Sequence, residues 1–264
     1  MIHELLCRIY ARMRDSSFYR GFQWFVHGDI ETRILRAIQF SQFAAAQNQK
    51  VFPQFKNKYA GRDVAVVACG PTASSYKPIP EVVHIGVNRA IFLERVDFDY
   101  LFVSDGGGAF SREHMDRLNS YRGDKCVKFY GYQRDDVGMI SESDVIKAHA
   151  YRYAMDNYLW CMREYKSRFP LDISTQPLPA PVSTVFPALQ FALWTNPKRI
   201  YLVGCDCTQD GHFYTTEKNL DLHIGNILQA YKDFASFAKR FYPDTQIISI
   251  NPVGLKGMFE DCFC

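Results

Sequence analysis

Residues 63–72 read DVAVVACGPT, and this stretch indicates the fold class most directly. Its opening run of apolar residues has the length and composition of a strand that is buried on both faces. The run leads straight into Gly70, Pro71 and Thr72, where a glycine and a proline end the strand and begin a turn. The stretch therefore predicts a buried parallel strand whose carboxyl end carries a Gly-Pro-Thr turn.

The rest of the chain downstream alternates in the same way between short apolar runs and amphipathic stretches. Strands alternating with helices are typical of an α/β fold that is Rossmann-like, with a largely parallel sheet and helices on both faces. A proline-rich segment at 170–182 predicts a loop. Strands are predicted at 82–87, 100–103, 125–130, 199–204 and 246–250, and helices at 145–168, 185–195 and 224–241.

The first part of the chain differs from the remainder in pattern and charge. Residues 1–60 have apolar residues at helical spacing, which predicts a basic helical N-terminal arm. Pro53 and the polar run 56–58 suggest a linker, followed by a catalytic domain at 61–264. Residues 1–62 contain ten Lys and Arg against four Asp and Glu. This excess suits an anionic partner such as a membrane surface or an acidic protein, although a solvated helical face has the same composition.

Composition excludes several classes of protein. The chain has 264 residues, of which 47% are hydrophobic and 22% charged, so it can bury a sizeable core. It lacks the run of about 20 apolar residues that a membrane span needs, and it lacks a secretory signal. We therefore expect a cytoplasmic protein that binds the inner membrane, if it does so, only at its surface. Its eight cysteines form no zinc-binding spacing and are expected to be free thiols. Basic clusters with interleaved aromatics do not recur, which argues against nucleic acid as a partner.

Ligands of open parallel sheets bind beyond the carboxyl ends of the strands. This rule selects four places: Gly70–Thr72, Asn88, Asp105 and Asp206–Gln209. In the first of these, a glycine allows close approach of a phosphate to the backbone, and amide groups at a helix start attract anions. A purely structural strand-to-helix turn has the same sequence, and the stretch matches neither the P-loop nor the dinucleotide fingerprint.

A second candidate anion site follows the proline-rich loop. Thr184 is expected to be the N-cap of the next helix, with Ser183 before it and Pro187 at the third helical position, where no N–H is required. A carboxylate or phosphate suits the hydroxyls and amides of such a helix start. A capped helix with no ligand is the alternative interpretation.

The segment 203–214 has the highest density of reactive side chains. It carries Asp206, Thr208, His212 and Tyr214, and His223 follows shortly afterwards. Either histidine has a suitable pKa for a general base.

Asp97 and Asp99 have the spacing of a metal-binding Asp-x-Asp pair. Such a pair should follow an apolar strand, whereas these two residues precede one. We therefore do not expect them to form a metal clamp.

Taken in order, these segments resemble the sialyltransferases of glycosyltransferase family 42. They resemble more loosely a group of proteins with a Gly-Pro-[Ser/Thr] turn that includes archaeal pterin pyrophosphokinase-like proteins. The resemblance covers about residues 63–255 and leaves out the N-terminal arm. The motifs that carry it are Gly70-Pro71-Thr72, Val87-Asn88, Ser104-Asp105, Ser183, Gly204-Cys205-Asp206 and Asn251-Pro252.

The resemblance implies a nucleotide-sugar-binding glycosyltransferase that inverts at the anomeric carbon and needs no metal or other cofactor. It would move a sugar acid, sialic acid or a Kdo-like sugar, from a CMP-activated donor to a hydroxyl of a bacterial surface glycan. The resemblance implies that the nucleotide is bound by Gly70, Pro71, Thr72 and Asn88, and that Asp105 contacts the donor. It implies that the helix start at Ser183 and Thr184 binds the carboxylate of the sugar, and that Tyr214 and Thr208 stabilise the leaving phosphate. The base that removes the acceptor's proton would be His223, with His212 as the other candidate.

The sequence departs from the family pattern at two positions. Cys69 and Asp105 stand where the family has asparagines, which leaves open another CMP-linked sugar acid or a different nucleotide. Asp105 and Asp206 are also candidates for a nucleophile that would give retention. Two alternatives remain: an ATP- and Mg²⁺-dependent pyrophosphokinase-like enzyme using Asp105, Asp206 and Asp210, and a non-catalytic nucleotide-binding module.

Overall fold

The structure is a computed structural model, and it describes residues 42–104, 110–132, 140–156, 169–180, 183–215 and 224–264. These residues form a nine-stranded sheet in the order β6-β5-β4-β3-β2-β1-β7-β8-β9, with every neighbouring pair parallel. The strands are β1 Asp63–Val67, β2 Val83–Val87, β3 Tyr100–Val103, β4 Val127–Tyr132, β5 Tyr151–Asp156, β6 Leu178–Pro179, β7 Arg199–Val203, β8 Gln246–Ile250 and β9 Glu260–Cys262.

The strand order contains one reversal, and it lies between β1 and β7. The chain steps outward from β1 to β6 on one side, returns to β7 on the other side of β1, and then continues outward to β9. Val67 at the end of β1 is paired with Gly86 of β2 and with Val203 of β7, so the carboxyl ends of these strands lie side by side. Connections leave this point in opposite directions, which opens the crevice where such sheets bind ligands.

Helices cover both faces of the sheet. They are α1 at residues 42–51, α2 Arg112–Ser120, α3 Glu142–Lys147, α4 Val185–Trp194 and α5 Ile224–Phe241. Alternate residues of the strands divide into two cores: Val64 and Val66 belong to the core that includes α4 and α5, and Ala65 and Val67 to the core that includes α2. The predicted α/β, Rossmann-like fold with a parallel sheet is confirmed.

Helix α4 lies at the centre of the first core. All ten of its residues are buried, and it packs on β1, β2 and β3. The run of apolar residues all round the helix is the pattern that burial on every side requires. Its amino end points to the same edge of the sheet as the carboxyl ends of the strands, because a right-handed crossover returns antiparallel to them.

Residues 42–60 pack as part of this domain. The Asn48 side chain accepts from the Ala154 N–H at 2.9 Å and donates to the Ile173 carbonyl at 3.1 Å, and Trp194 donates its indole N–H to the Phe52 carbonyl at 2.9 Å. The boundary placed between residues 60 and 61 therefore falls inside a packed core. Residues 1–41 lie outside the described residues, and contact of the arm with a membrane stays a prediction. No helix in the described ranges combines the length and apolarity that crossing a bilayer requires.

The helix predicted at 145–168 is wrong at residues 151–156. Helix α3 ends at Lys147, and Tyr151–Asp156 forms β5, which pairs with β4. The aromatic residues Tyr151 and Tyr153 fit a strand better than a helix, since side chains of this kind pack well on a pleated surface. Residues 157–168 lie outside the described residues. Strands β6 and β9 were not predicted, because two or three residues are too few to show a period.

Candidate functional site

A cleft of about 420 Å³ lies beyond the carboxyl ends of β1, β2, β3 and β7. It is where the strand order reverses, as the general rule for these sheets predicts. Most of its lining comes from the segments that leave these strands and from the start of α4. The main lining segments are Ala68–Gly70, Val87–Arg89, Ser104, Ser183–Val185, Gly204–Thr208, and Gly211, His212 and Tyr214, with Phe110 and part of α5 at the sides.

The first structural feature of this edge joins the ends of β1 and β7, and we call it the Thr72–Asp206 clamp. The Thr72 N–H donates to Asp206 Oδ2 at 2.8 Å, and the Thr72 hydroxyl donates to Asp206 Oδ1. Burial raises the pKa of Asp206, and the two hydrogen bonds from Thr72 act in the opposite direction. A buried carboxylate must be hydrogen-bonded, and this clamp supplies bonds to both of its oxygens.

Gly70 is required because the two strand ends approach closely. Its N–H donates to the Gly204 carbonyl at 2.8 Å. A Cβ on Gly70 would lie 2.5 Å from the Gly204 carbonyl oxygen and 2.6 Å from Asp206 Oδ2. Gly204 itself has φ +62°, a left-handed conformation that favours glycine.

The amides of the Gly-Pro-Thr turn are therefore engaged within the protein. The N–H groups of Gly70 and Thr72 serve Gly204 and Asp206, the Ala73 N–H donates to the Gly70 carbonyl, and Pro71 has none. Pro71 and Thr72 do not line the cleft, although Gly70 does. The expected use of these amides to hold a phosphate finds no support here, and the turn acts instead as part of the clamp.

A second feature, the Asn88–Thr184 clamp, joins the ends of β2 and β3 to the start of α4. Asn88 has φ +50°, and its Oδ1 accepts from the Ser104 N–H at 3.3 Å while its Nδ2 donates to Thr184 Oγ1 at 3.1 Å. The Ser104 and Thr184 hydroxyls are also hydrogen-bonded to each other. Asparagine tolerates the left-handed region better than most residues, which explains its place at this corner.

The start of α4 differs from the prediction in one respect. Thr184 is the N-cap residue and Pro187 stands at the third helical position, as predicted, but the Thr184 side chain makes no capping bond to the helix. It serves the Asn88–Thr184 clamp instead. Ser183, which lines the cleft, accepts weakly from the Val185 N–H at 3.4 Å.

The third feature, which we call the cationic wall, consists of Arg89, His212 and Tyr214. The Arg89 guanidinium lies 4.7 Å from the centre of the Phe110 ring and 5.6 Å from that of Tyr214, and its Nη1 donates to the Tyr214 hydroxyl at 3.4 Å. The His212 ring stacks on Tyr214 with 5.2 Å between centroids and 22° between planes. A cation, a phenol and an imidazole thus stand together on one side of the cleft.

His212 is suited to accepting a proton. Burial lowers its pKa and the charge of Arg89 lowers it further, while a hydrogen bond with the Cys69 main chain acts in the opposite direction. The imidazole is therefore neutral near pH 7, which is the form that a general base requires.

The structure brings most of the predicted site residues together. Thr208 also lines the cleft, and its hydroxyl accepts from the Asp210 N–H at 3.3 Å. Two predicted residues, Asp105 and His223, lie outside the described residues. The predicted residues that line the cleft are Gly70, Asn88, Ser183, Thr184, Asp206, Thr208, His212 and Tyr214.

Among the described residues, the aspartates of interest for chemistry have structural or exposed positions. Asp206 uses both oxygens in the Thr72–Asp206 clamp, so it is not poised as a nucleophile, and Asp210 is exposed. Asp99 Oδ2 accepts from the His84 N–H at 2.9 Å at the opposite edge of the sheet, where Asp97 faces Arg122 at 3.4 Å. In the described ranges, no group of three or more His, Cys, Asp or Glu side chains is placed to hold a metal ion.

Sequence reasoning missed Arg89, the cation of the wall, and Phe110, the ring beneath it. Arg89 follows Asn88 directly at the carboxyl end of β2, so the same strand-end rule that selected Asn88 could have selected it. Phe110 had no such signal. The two cysteines beside Asp206 are small partly or fully buried residues as predicted, and burial raises the pKa of Cys205 to about 12.

Comparisons with known proteins give little beyond this description. No protein-family model matches the chain, and no curated protein matches it. A solved structure to which it is similar is that of the MAf glycosyltransferase from Magnetospirillum magneticum AMB-1, with 12% identity and a TM-score of 0.48. The match covers 84% of this chain and 38% of that one, so this chain spans well under half the length of that protein. A TM-score below 0.5 does not establish a shared fold, and the fold assignment stands on the sheet itself.

Proposed function

We propose that the chain is a glycosyltransferase that takes a sugar acid from a CMP-activated donor and transfers it to a hydroxyl of a bacterial surface glycan. One observation carries the proposal: the cationic wall places a cation, a phenolic hydroxyl and a neutral imidazole on one side of the cleft at the reversal of strand order. Transfer from a CMP-linked sugar needs these three kinds of group, namely a charge for an anionic donor, a proton donor for the leaving phosphate and a base for the acceptor.

The reaction breaks the bond between the anomeric carbon and the phosphate oxygen, and CMP leaves with that electron pair. The acceptor oxygen forms the new bond to the anomeric carbon, and its proton passes to His212. Negative charge grows on the phosphate as the bond breaks. Tyr214 and Thr208 line the cleft, and their hydroxyls are proposed to stabilise this charge. General base catalysis of this kind contributes roughly 10²–10⁴-fold to the rate.

The carboxylate of the sugar acid is proposed to bind at the start of α4. Ser183, Thr184 and Val185 line the cleft, and the positive end of the helix dipole favours an anion there. The donor would then be held at its phosphate by the cationic wall and at its sugar by the start of α4.

The identity of the sugar acid follows less directly from the residues. Cys69 lines the cleft and its thiol donates to the Val87 carbonyl at 3.4 Å, so it offers the donor a surface different from that of the family's asparagine. We propose sialic acid and Kdo as the two donors to test.

Contact with an anionic membrane is proposed for the part of the predicted N-terminal arm that precedes the packed residues 42–60. Replacing Arg8, Arg12 and Arg14 together by glutamate in the full chain should reduce binding to vesicles that contain anionic lipid, since each basic residue near such a surface contributes about 1 kcal/mol. Unchanged vesicle binding would remove this part of the proposal.

The proposed function is tested in two steps with the full chain. In the first, thermal unfolding is followed with CMP, CDP, UDP, GDP and ATP, each with and without Mg²⁺. A ligand at 100 times its Kd adds ~2.7 kcal/mol, which raises the Tm by roughly 5–10 °C in a domain of this size. In the second, release of CMP from CMP-linked sialic acid and Kdo is measured with a lactose or glycan acceptor.

The proposal predicts a shift with CMP that needs no Mg²⁺ and release of CMP that depends on acceptor. A shift confined to ATP with Mg²⁺ would support the pyrophosphokinase-like alternative. A shift with CMP but no turnover of either donor would support a nucleotide-binding module.

A further inference from the structure

At the end of β2, the sequence motif selects Asn88, but the next residue, Arg89, is better placed to contact a ligand. Asn88 spends both ends of its amide on the Asn88–Thr184 clamp, where it contacts Ser104 and Thr184. Arg89, the next residue, lines the cleft as part of the cationic wall. The clamp fixes the backbone at Asn88 and so fixes the direction in which the Arg89 side chain leaves it.

The guanidinium of Arg89 also contacts two aromatic rings. It lies 4.7 Å from the centre of the Phe110 ring and 5.6 Å from that of Tyr214. An arginine stacked in this way loses little further entropy when it binds an anion, because its planar fork is already oriented.

The group beside Arg89 indicates which anion it suits. Its Nη1 and the Tyr214 hydroxyl are 3.4 Å apart, so a guanidinium and a phenol can donate to neighbouring oxygens of one tetrahedral oxyanion. His212 also stacks on the Tyr214 ring, with 5.2 Å between the two ring centroids. The oxyanion would thus lie close to the proposed base, where the leaving group of the reaction has to be.

We propose that Arg89 and the Tyr214 hydroxyl bind the phosphate of the donor nucleotide, and that Asn88 is a positioning residue that orients Arg89. This inference rests on the proposed function for the identity of the ligand as a nucleotide-linked sugar. It assigns the phosphate to the cationic wall and not to the Gly-Pro-Thr turn.

Titration calorimetry with CMP, cytidine and free N-acetylneuraminic acid tests the assignment. Wild-type protein should bind CMP roughly 10- to 100-fold more tightly than cytidine, as expected for hydrogen bonds to a charged group. Arg89→Gln should reduce CMP affinity to that of cytidine and leave cytidine affinity unchanged. Arg89→Lys, which keeps the charge and loses the fork, should retain part of the preference for CMP.

Arg117→Gln is the matched control. Arg117 stacks on Phe92 at 4.7 Å from the ring centre, as Arg89 does on Phe110, but it does not line the cleft. The control should bind CMP and cytidine as the wild type does. Thermal unfolding without ligand shows whether either variant has lost its fold, and cytidine binding shows that the rest of the site is intact.

Asn88→Gly tests the positioning role, because glycine accepts the φ of +50° and removes both side-chain hydrogen bonds. The ratio of CMP to cytidine affinity should fall, and it should fall no further when Asn88→Gly is added to Arg89→Gln. A merely structural role would weaken both ligands equally and would act additively.

The outcomes separate this inference from the proposed function. Arg89-dependent binding of CMP without any glycosyl transfer would leave the inference standing and remove the proposed activity. An unchanged ratio in Arg89→Gln would overturn the inference, and so would absence of CMP binding by the wild type. Loss of N-acetylneuraminic acid binding with CMP binding retained would show that Arg89 holds the sugar carboxylate, which also overturns the phosphate assignment.

Discussion

The two clamps and the cationic wall occupy the same edge of the sheet, but their polar groups are used differently. In the Thr72–Asp206 clamp and the Asn88–Thr184 clamp, side chains bond to one another and tie strand ends together. In the cationic wall, Arg89 and His212 both pack on the Tyr214 ring, and all three residues line the cleft. The clamps build the site, and the wall offers chemistry to a ligand.

This difference changes how the sequence motifs are understood. Gly70, Asn88 and Asp206 stand out in the sequence because tight turns and strand ends restrict residue type. Folding causes this restriction, since each of these residues is required by a close contact or makes a buried hydrogen bond. A residue that meets a ligand is under no such local restriction, and Arg89 gives no pattern of its own.

The largest effect is expected at the wall, from His212→Gln. Loss of the base should lower the rate of transfer by roughly 10²–10⁴-fold, while the free energy of unfolding changes by less than about 1 kcal/mol. Steady-state kinetics and urea unfolding of the same preparation check both halves. His149→Gln, at an exposed histidine beside Asp124, is the control and should change neither.

The pH profile sharpens this prediction. Because burial and the charge of Arg89 lower the pKa of His212, the acidic limb of kcat/KM should lie below pH 6.5. Arg89→Gln removes one of the two lowering effects, so the limb should move to higher pH. A limb that stays in place in this variant would contradict the assignment of His212 as the base.

The next effect is expected at a clamp, from Asp206→Ala. The substitution leaves the Thr72 N–H and hydroxyl without their buried partner, which should cost about 3 kcal/mol of unfolding free energy. Urea unfolding measures the loss, and Asp210→Ala, four residues along and exposed, should lose less than about 0.5 kcal/mol. Equal losses in the two variants would show that the clamp does not hold the strand ends.

Gly70→Ala should be the next most damaging. Its Cβ would meet backbone and carboxylate atoms at 2.5 Å and 2.6 Å, and overpacking of this kind costs about 1–3 kcal/mol. Gly225→Ala in α5 is the matched control, because a Cβ added there would have none of the described residues within 4 Å and alanine favours a helix. The control should gain up to about 1 kcal/mol in thermal or urea unfolding; a destabilised control would count against the argument from contacts.

A smaller loss is expected from Thr184→Val, which keeps the shape of the side chain and removes its hydroxyl. The Asn88–Thr184 clamp loses the bonds to Ser104 and Asn88, at a cost of about 1–2 kcal/mol in urea unfolding. Because Arg89 is oriented through Asn88, the affinity for CMP should fall more than that for cytidine. An unchanged ratio of CMP affinity to cytidine affinity would show that the Asn88–Thr184 clamp does not orient Arg89.

The smallest effects are those of pH on stability, and two buried carboxylates should show opposite signs. Burial raises the pKa of Asp206 in the folded protein. The contribution of Asp206 to the free energy of unfolding is therefore full below the unfolded pKa of 3.8, and it declines as the pH rises through the higher folded pKa. Arg112, helped by Ser141 and Asn119, lowers the pKa of Asp144 to about 2, so its contribution is present above 3.8 and is lost as the pH falls towards 2.

Urea unfolding from about pH 2.5 to 7 distinguishes the two groups. The difference in unfolding free energy between the wild type and Asp206→Asn should shrink as the pH rises, and the difference for Asp144→Asn should grow. Slopes of the same sign would mean that one of the two environments is misassigned.

The fold could be predicted from the sequence because it depends on repeated local patterns. Buried apolar runs and turn residues placed β1, β2, β3 and β7 to within about two residues, and α4 and α5 equally well. Strand β5 was missed because Tyr151–Asp156 follows closely on helix α3, and the predicted helix was continued through it. Its pairing with β4 is a contact between distant residues, and no local pattern reports it.

The position of the candidate site could be predicted from the sequence, but the roles of its individual residues could not. The strand-end rule located the cleft, since Gly70, Asn88 and Asp206 come together there. Which of their polar groups bond to each other depends on distances across the sheet, such as the 2.8 Å between the Thr72 nitrogen and Asp206, and these are set by the register of β1 on β7. The contact of Arg89 with two rings from separate segments is likewise a product of packing.

A crystal structure of the protein with CMP bound would show which part of this edge contacts the phosphate. We expect CMP in the cleft with its phosphate within hydrogen-bond distance of Arg89 and the Tyr214 hydroxyl, and with both clamps intact. A phosphate bound on the amides of Gly70–Thr72, with the bonds from Thr72 to Asp206 opened, would contradict this expectation.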